Sequence, residues 1–310
     1  MLSNFEEVKA AYESRDLVKL DELAVPTYRK LNRRKDFSSV LMLSCNNLDH
    51  LMKIDSVEAD CIVLNLEDGV SREDKPFGLV LCAIFLSHHK QCDKKLVVRV
   101  NALKEGGFEE IAYLNQFMPD AIRVPKIREV KEVESVYELL DEKTELHLSI
   151  ETSDAWRNLS LLKVDKRITT FYLGILDLFA DMKLPQSLIR RDNPTALYIL
   201  SHFLVTCRII GVRPVSFVYQ EFKNLEEFRE WLYLEKNMGY DAKGCISPDQ
   251  VSIVNEVLVD EEREIRRAKT IVKLFELKRE EGITGFEDEE FGFIDEPIYK
   301  GALAVLNKNS

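Results

Sequence analysis

Short apolar runs alternate with helical patterns through the middle of the chain. The segments between the runs place apolar residues at helical spacing, as in VKEVESVYELLDEK. The eight runs are SVLMLSC (39–45), CIVLNLE (61–67), KLVVRVN (95–101), AIRVPKI (121–127), LHLSIET (146–152), ITTFYLG (168–174), VRPVSFV (212–218) and GCIS (244–247). Eight strands that alternate with helices predict an α/β fold, a (β/α)8 TIM barrel.

Two segments lie outside this pattern. Residues 1–36 predict an N-terminal helical extension, and the barrel is predicted over 37–260. Residues 261–310 predict a C-terminal helical lid: a charged amphipathic helix, an acidic loop (FEDEEFGFIDEP) and a last helix. No G-x-G-x-x-G follows the first strand, which argues against a dinucleotide-binding fold.

Composition narrows the class of protein. The 310 residues, 45% of them hydrophobic, suffice for a sizeable core. The net charge of -11 provides no general basic field for nucleic acid or an anionic membrane. The six cysteines form no C-x-x-C pair, which favours reduced thiols. Without a basic leader or an apolar run of transmembrane length, we expect a cytoplasmic protein with no nucleic-acid or membrane partner.

Polar residues follow several of the predicted strands. In a (β/α)8 barrel the chemistry lies at the C-terminal ends of the strands, because the loops there converge on one mouth. The candidates are Glu67 and Asp68 (strand 2), Arg99 and Asn101 (strand 3), Lys126 (strand 4), Glu151 (strand 5) and Asp177 (strand 6).

Glu151 and Asp177 follow adjacent strands, so their carboxylates are expected to converge. Two protein carboxylates, with water and substrate as the other ligands, are a usual way of holding Mg²⁺. The alternative is that each acid caps the helix that follows it, since acids are common in first helical turns.

Arg99 stands between apolar neighbours in VVRVN. A buried arginine needs an anionic partner, and Glu67 on the adjacent strand is the candidate. On spacing alone, a structural ion pair is as good an interpretation as a catalytic arginine. Asp68 points away from Glu67, because side chains alternate along a strand, so the two acids cannot share one role. Lys126 lies where some aldolases carry a Schiff-base lysine, but a solvent-facing or carboxylate-pairing lysine is the preferred interpretation.

These strand-end residues resemble the citrate lyase β-subunit-like group of the HpcH/HpaI aldolase superfamily, which includes malyl-CoA and citramalyl-CoA lyases. The similar stretches, in family order, are VLNLEDGVSREDK, LVVRVNAL, AIRVPKIREV, LSIETSDAW, YLGILDLFADM, GYDAKGCISPDQVSIVNEV and FIDEPIYKGA. Together they extend from residue 38 to about residue 305.

The resemblance implies a magnesium-dependent carbon-carbon lyase that cleaves or forms a 3-hydroxyacyl-CoA thioester, such as citryl-, malyl- or citramalyl-CoA, through an enolate. Glu151 and Asp177 would hold the Mg²⁺. Arg99 would bind the substrate carboxylate or the developing enolate oxygen. Asp295 would act as acid or base from the lid of a neighbouring subunit in a homotrimer or hexamer.

The remaining candidates would assist this site. Glu67 would support catalysis by orienting Arg99, while Asp68 and Asn101 would contact the substrate, a small hydroxyacid or its CoA thioester. In a metal site, such orienting partners position the groups that act directly.

The chain departs from the family pattern around these residues. Ser38 stands in place of an arginine at the first strand, Ser44 and Cys45 in place of Pro-Gly, and Ser247 in place of a histidine. With the metal and arginine positions intact, this predicts a divergent member with altered substrate preference. Two alternatives stay open: an aldolase for free 2-keto acids without CoA, and a catalytically weakened structural subunit of a lyase complex.

Overall fold

The computed structural model describes residues 5–258 and 261–308. The chain forms two compact units, Met1–Asn255 and Glu256–Ser310. Within the described residues, no helix is both long and apolar enough to span a bilayer.

Eight parallel strands form the barrel of the first unit. They are β1 (Ser39–Ser44), β2 (Cys61–Asn65), β3 (Lys95–Arg99), β4 (Ala121–Val124), β5 (Glu145–Ile150), β6 (Ile168–Leu173), β7 (Arg213–Val215) and β8 (Lys243–Cys245). They pair in the order β7-β6-β5-β4-β3-β2-β1-β8, and a parallel bridge from Ser216 to Lys243 joins the two outer strands. The (β/α)8 barrel is therefore confirmed. Every strand ends one to three residues before the end of its predicted run, because the last residues of the run leave the sheet.

The helices of this unit lie before, between and after the strands. They are α1 (Phe5–Glu13), α2 (Leu17–Leu23), α3 (Leu48–Met52), α4 (Lys75–His88), α5 (Gly107–Leu114), α6 (Val130–Leu139), α7 (Ser153–Arg157), α8 (Ile175–Asp181), α9 (Pro194–Ile210), α10 (Leu225–Met238) and, running into the second unit, α11 (Pro248–Leu258). The N-terminal helix α2 packs on α4, which explains why α4 is apolar on most of its sides.

One side-chain cluster identifies the inside of the barrel. Its members from the strands are Val40, Cys61, Val63, Val97, Ala121, Tyr172 and Val215. Because strand side chains alternate, residues two apart share a face. The inner face of β3 therefore runs from Lys95 at the N-terminal end to Arg99 at the C-terminal end, and that of β5 runs from Glu145 to Ser149, with Glu151 just beyond.

The second unit contains helix α12 (Glu261–Glu280), strands β9 (Gly285–Asp288) and β10 (Gly292–Asp295), and helix α13 (Glu296–Lys308). The two strands pair as an antiparallel hairpin, so the expectation of an acidic loop here is wrong. The cause is an alternation of inward and outward positions along each strand: Phe286 and Ile294 pack into a cluster with Phe275, while Glu287 and Phe293 stay exposed.

Candidate active site

Arg99 is the centre of an ion-pair network at the C-terminal end of the barrel. Its guanidinium pairs with Glu67, as expected from their adjacent strands. Nη2 also lies 3.4 Å from Asp68 Oδ2 and 3.7 Å from Glu151 Oε2. Glu67 and Asp68 thus contact the same guanidinium, so the expectation that they point apart is wrong: β2 ends at Asn65, and both acids lie beyond it, where strand alternation no longer holds. Arg99 is also buried. Because carboxylates that follow two different strands hold its guanidinium, the side chain has little freedom to reorient.

Glu67 is buried between two cations. Besides Arg99, the Nζ of Lys126 lies 3.0 Å from Glu67 Oε1, so Lys126 is a carboxylate-pairing lysine, the preferred interpretation from the sequence. Burial raises the pKa of Glu67, and the charge of Arg99 opposes that rise. Among the described residues, neither oxygen of Glu67 completes a hydrogen bond of good geometry, so this carboxylate retains acceptor capacity.

The backbone after β4 fixes Glu151. Lys126 has a φ of 54°, a left-handed conformation that is uncommon for a residue other than glycine. This turn directs the Lys126 N–H to Glu151 Oε1, at 2.8 Å. One oxygen of Glu151 is therefore held by the backbone, and the other is directed towards Arg99 and Gly174.

Gly174 keeps the space beside Glu151 open. A Cβ at this position would lie 2.6 Å from Glu151 Oε2, so any other residue would fill the space next to that oxygen. Asp177 stands three residues further on, exposed in the first turn of α8. The loop after β6 thus combines an open position beside one carboxylate with a second carboxylate.

Both carboxylates line one cavity of about 300 Å³. Its charged lining residues are Asp68, Arg99, Arg123, Glu151 and Asp177. Within the described ranges, no group of three or more His, Cys, Asp or Glu side chains is arranged to hold a metal ion. Glu151 and Asp177 fit a cation that accepts two hard oxygen ligands and completes its shell with water and substrate, as Mg²⁺ does.

Arg123 is a residue of this cavity that the sequence analysis missed. Its Nε donates to Ser149 Oγ at 2.8 Å, and its guanidinium lies 4.0 Å from the centre of the Tyr172 ring. None of the ion pairs in the described part of the chain involves it. Burial, together with the charge of Arg99, lowers its pKa to about 10, so it remains charged at neutral pH. The apolar neighbours in AIRVP are the signal that drew attention to Arg99, and they could have identified Arg123 too.

Asn101 is committed to other partners. It is fully buried, its N–H donates to Glu110 Oε2 at 2.7 Å, and its amide group binds Glu110 Oε1 and Lys75 Nζ. It lies outside the lining of the cavity as the described residues define it. These bonds hold the loop after β3, and the expected contact of Asn101 with the substrate remains a prediction.

Asp295 belongs to the second unit. It ends β10, and its Oδ1 accepts a hydrogen bond of 3.1 Å from the N–H of Ile298, which caps the start of α13. Its expected role as acid or base remains a prediction.

A larger hollow adjoins the cavity. It has a volume of about 750 Å³, shares Met42 and Ile246 with the cavity, and is lined by apolar and polar residues of β1, α11 and the segments between them. Two of the positions that depart from the family pattern, Ser44 and Ser247, line it, whereas Cys45 is fully buried.

The fold and this cavity define a (β/α)8-barrel enzyme with an acid-rich site at the strand ends. A model of the HpcH/HpaI aldolase/citrate lyase family matches residues 38–248. The chain therefore belongs to this family of aldolases and lyases, which confirms the resemblance and the expected class of enzyme.

Individual relatives agree with this membership. A (3S)-malyl-CoA thioesterase from Cereibacter sphaeroides is 28% identical over 241 residues, 77% of this chain and 83% of that protein. The citrate lyase subunit beta of Haemophilus influenzae is 24% identical over 282 residues, 87% of this chain and 96% of that protein. CitE of Mycobacterium tuberculosis, solved in complex with magnesium, acetoacetate and coenzyme A, has a TM-score of 0.70 at 19% identity and covers 89% of this chain and 99% of its own.

Proposed function

We propose that this protein is a magnesium-dependent carbon-carbon lyase that cleaves or forms a 3-hydroxyacyl-CoA thioester of the citryl-, malyl- or citramalyl-CoA kind. The observation that carries the proposal is one cavity in which Glu151 and Asp177 stand beside Arg99, with Gly174 leaving room next to Glu151. Bound there, Mg²⁺ would supply Lewis-acid polarisation of a substrate oxygen.

Side chains of the protein would stabilise the developing charge, bind the substrate and transfer a proton. Arg99, held by Glu67, would donate to the oxygen on which negative charge develops when the carbon-carbon bond breaks. Arg123, charged and with no carboxylate in ion-pair distance among the described residues, would bind the substrate carboxylate. Asp295 would move a proton if the lid of a neighbouring subunit closes over the site, in the homotrimer or hexamer that we propose.

The adjoining hollow favours a thioester over a free acid. Its volume of about 750 Å³ suits the long arm of a thioester, and the shared Met42 and Ile246 would lead that arm to the cavity. The complex of CitE with coenzyme A supports the same choice. The changes at Ser44 and Ser247 alter the surface that would contact the arm, which fits an altered preference among thioesters.

Product analysis tests this proposal. The full-length protein with Mg²⁺ is incubated with malyl-, citramalyl- and citryl-CoA and with the corresponding free acids. A lyase releases an oxo acid and a shorter acyl-CoA, whereas hydrolysis, the activity named for the malyl-CoA thioesterase relative, releases free CoA and the intact hydroxyacid. Cleavage of the free acids alone would favour the aldolase alternative, and no turnover at all the structural-subunit alternative.

Magnesium titration provides a second test. Glu151→Ala with Asp177→Ala should abolish Mg²⁺ binding, while the matched control, Glu134→Ala with Glu138→Ala on the exposed face of α6, should leave it unchanged. If the wild-type protein binds Mg²⁺ no more tightly than the Glu151 and Asp177 variant, the metal-dependent mechanism is wrong.

A further inference from the structure

A second charged hollow lies at the N-terminal end of the barrel, opposite to the candidate active site. It has a volume of about 350 Å³ and includes the first residues of β3, β5 and β7, Lys95, Glu145 and Arg213. Its basic lining residues are Lys35, Lys95, Lys163, Lys166, Arg208 and Arg213, and we call it the basic hollow. Among the described residues, its lining shares no member with that of the active-site cavity.

Part of its charge is neutralised within the fold. The Nζ of Lys95 lies 2.8 Å from Glu145 Oε2. Asp241 pairs with both arginines, at 3.0 Å from Arg208 Nη2 and 3.3 Å from Arg213 Nη2. Glu145 and Asp241 thus pair with three of the six basic side chains, and the more distant charges of Asp36, Asp60 and Asp165 offset part of the rest, so that the hollow keeps a positive excess smaller than four.

Three lysines account for most of this excess. Within the described part of the chain, Lys35, Lys163 and Lys166 take part in no ion pair. The Nζ of Lys163 donates to the carbonyl of Gly211 at 2.6 Å, which uses one of its three protons. Burial lowers the pKa of Lys163, and the nearby charge of Lys35 adds to that effect. Because the like charges repel one another, an anion in the hollow would stabilise the arrangement.

We propose that the basic hollow is a binding site for a small molecule that carries two or more adjacent phosphate groups. A terminal phosphate group brings a charge of about -1.5 to -2 at neutral pH and each bridging phosphate group adds a further negative charge, so a chain of two or more can offset the three lysines that have no ion-pair partner among the described residues. The hollow has the size of a small-molecule site, and it is set into a chain with a net charge of -11, so general basicity does not explain it.

Calorimetric titration with inorganic tripolyphosphate in metal-free, low-salt buffer tests the proposal on the full-length protein. Lys163→Gln with Lys166→Gln should weaken binding about a hundredfold, since each lysine would give a charge-assisted hydrogen bond. The matched control, Lys131→Gln with Lys273→Gln, removes two exposed lysines outside the hollow and should bind like the wild type. Lys35→Gln, which breaks no hydrogen bond of the described residues, should weaken binding about tenfold even if the double variant folds poorly.

Two further arms locate and classify the ligand. If Arg123→Gln abolishes tripolyphosphate binding while the lysine variants retain it, the anion binds at the active-site end and the proposal is overturned. If citrate binds as tightly as tripolyphosphate, the assignment to phosphate is overturned. Absence of binding to the wild type would also overturn it. Since no arm measures turnover, these outcomes are independent of the proposed lyase activity.

Discussion

The two ends of the barrel present opposite chemistry. At the C-terminal end, the acids are Glu67, Asp68, Glu151 and Asp177, and the cations between them are Arg99, Lys126 and Arg123. At the N-terminal end, six basic side chains line the basic hollow and Glu145 is the acid among them. Because inner-face residues recur every second position, a single strand such as β3 contributes Lys95 to one end and Arg99 to the other. On the two proposals, the same scaffold would bind a metal cation at one end and a phosphate-bearing anion at the other.

A buried chain of polar contacts connects the two ends. Glu145 of the basic hollow lies 3.5 Å from His147 Nε2, His147 Nδ1 lies 3.2 Å from the Tyr172 hydroxyl, and Arg123 of the active-site cavity lies over the Tyr172 ring. Burial favours the neutral form of Glu145, but the hydrogen bond with His147 and the charge of Lys95 lower its pKa to about 2. Glu145 is therefore negatively charged at neutral pH, at the end of this series of contacts that lies nearest the basic hollow.

The largest effect is expected at the C-terminal end of the barrel, where we propose that the metal binds. Asp177→Asn keeps the size of the side chain and removes the charge of a proposed metal ligand. Since a metal contributes several kcal/mol of charge stabilisation, we expect kcat to fall about a thousandfold, with weaker Mg²⁺ binding in a calorimetric titration. Asp192→Asn, which alters an exposed acid paired with Arg190, is the control and should retain full activity. An active Asp177→Asn enzyme with unchanged Mg²⁺ affinity would contradict this division of the barrel.

Arg123 lines the active-site cavity and also contacts Tyr172, the last member of the buried series of polar contacts. If it binds the substrate carboxylate, Arg123→Gln should raise KM about thirtyfold with a smaller change in kcat, because a charge-assisted hydrogen bond is lost. Arg123→Lys should recover part of the affinity. Arg157→Gln, at a largely exposed arginine of α7, is the control. An unchanged KM in Arg123→Gln would leave the arginine a structural role only.

Glu67 is predicted to act through Arg99. Glu67→Gln should lower kcat about tenfold, the lower end of the range for groups that orient a ligand or catalytic residue, without changing Mg²⁺ affinity. The amide keeps the shape of the buried side chain but weakens its attraction to Arg99 and Lys126. If Glu67→Gln reduces turnover more than Asp177→Asn does, the proposed division of roles between the two acids is refuted.

The barrel could be predicted from the sequence because each strand lies in an apolar run of its own. The Arg99 and Glu67 pair could be predicted because Arg99 ends the inner face of β3 and Glu67 follows the end of the adjacent strand β2 by two residues. The partners of Asn101 could not be predicted in this way. Glu110 comes nine residues later on α5, and only the path of the loop brings its carboxylate back to Asn101.

The basic hollow escaped the sequence analysis for a similar reason. Lys35, Lys95, Lys163 and Arg213 lie in four separate segments, and the closure of the barrel brings them together. The hairpin of the second unit was missed because its acidic composition hid the alternation of Phe286 and Glu287. The basic hollow depends on which distant segments the fold brings together, and the hairpin on the order of residues within one acidic segment. Amino-acid composition reports neither.

The last prediction concerns the buried chain of polar contacts and is one of stability, not of activity. Burial lowers the pKa of His147 to about 4, against the attraction of Glu145, so His147 is neutral in the folded protein. In the unfolded chain a histidine gains a proton below pH 6.5, so His147 contributes full stability above that pH and loses it as the pH falls towards 4. We expect the wild type to lose about 2 kcal/mol from this source between pH 6.5 and pH 5. Urea denaturation of His147→Gln, whose side chain cannot titrate, should show a correspondingly smaller loss over the same range. Equal losses in the two proteins would mean that the pKa of His147 is the same in the folded and unfolded protein, which would contradict a His147 held neutral by burial.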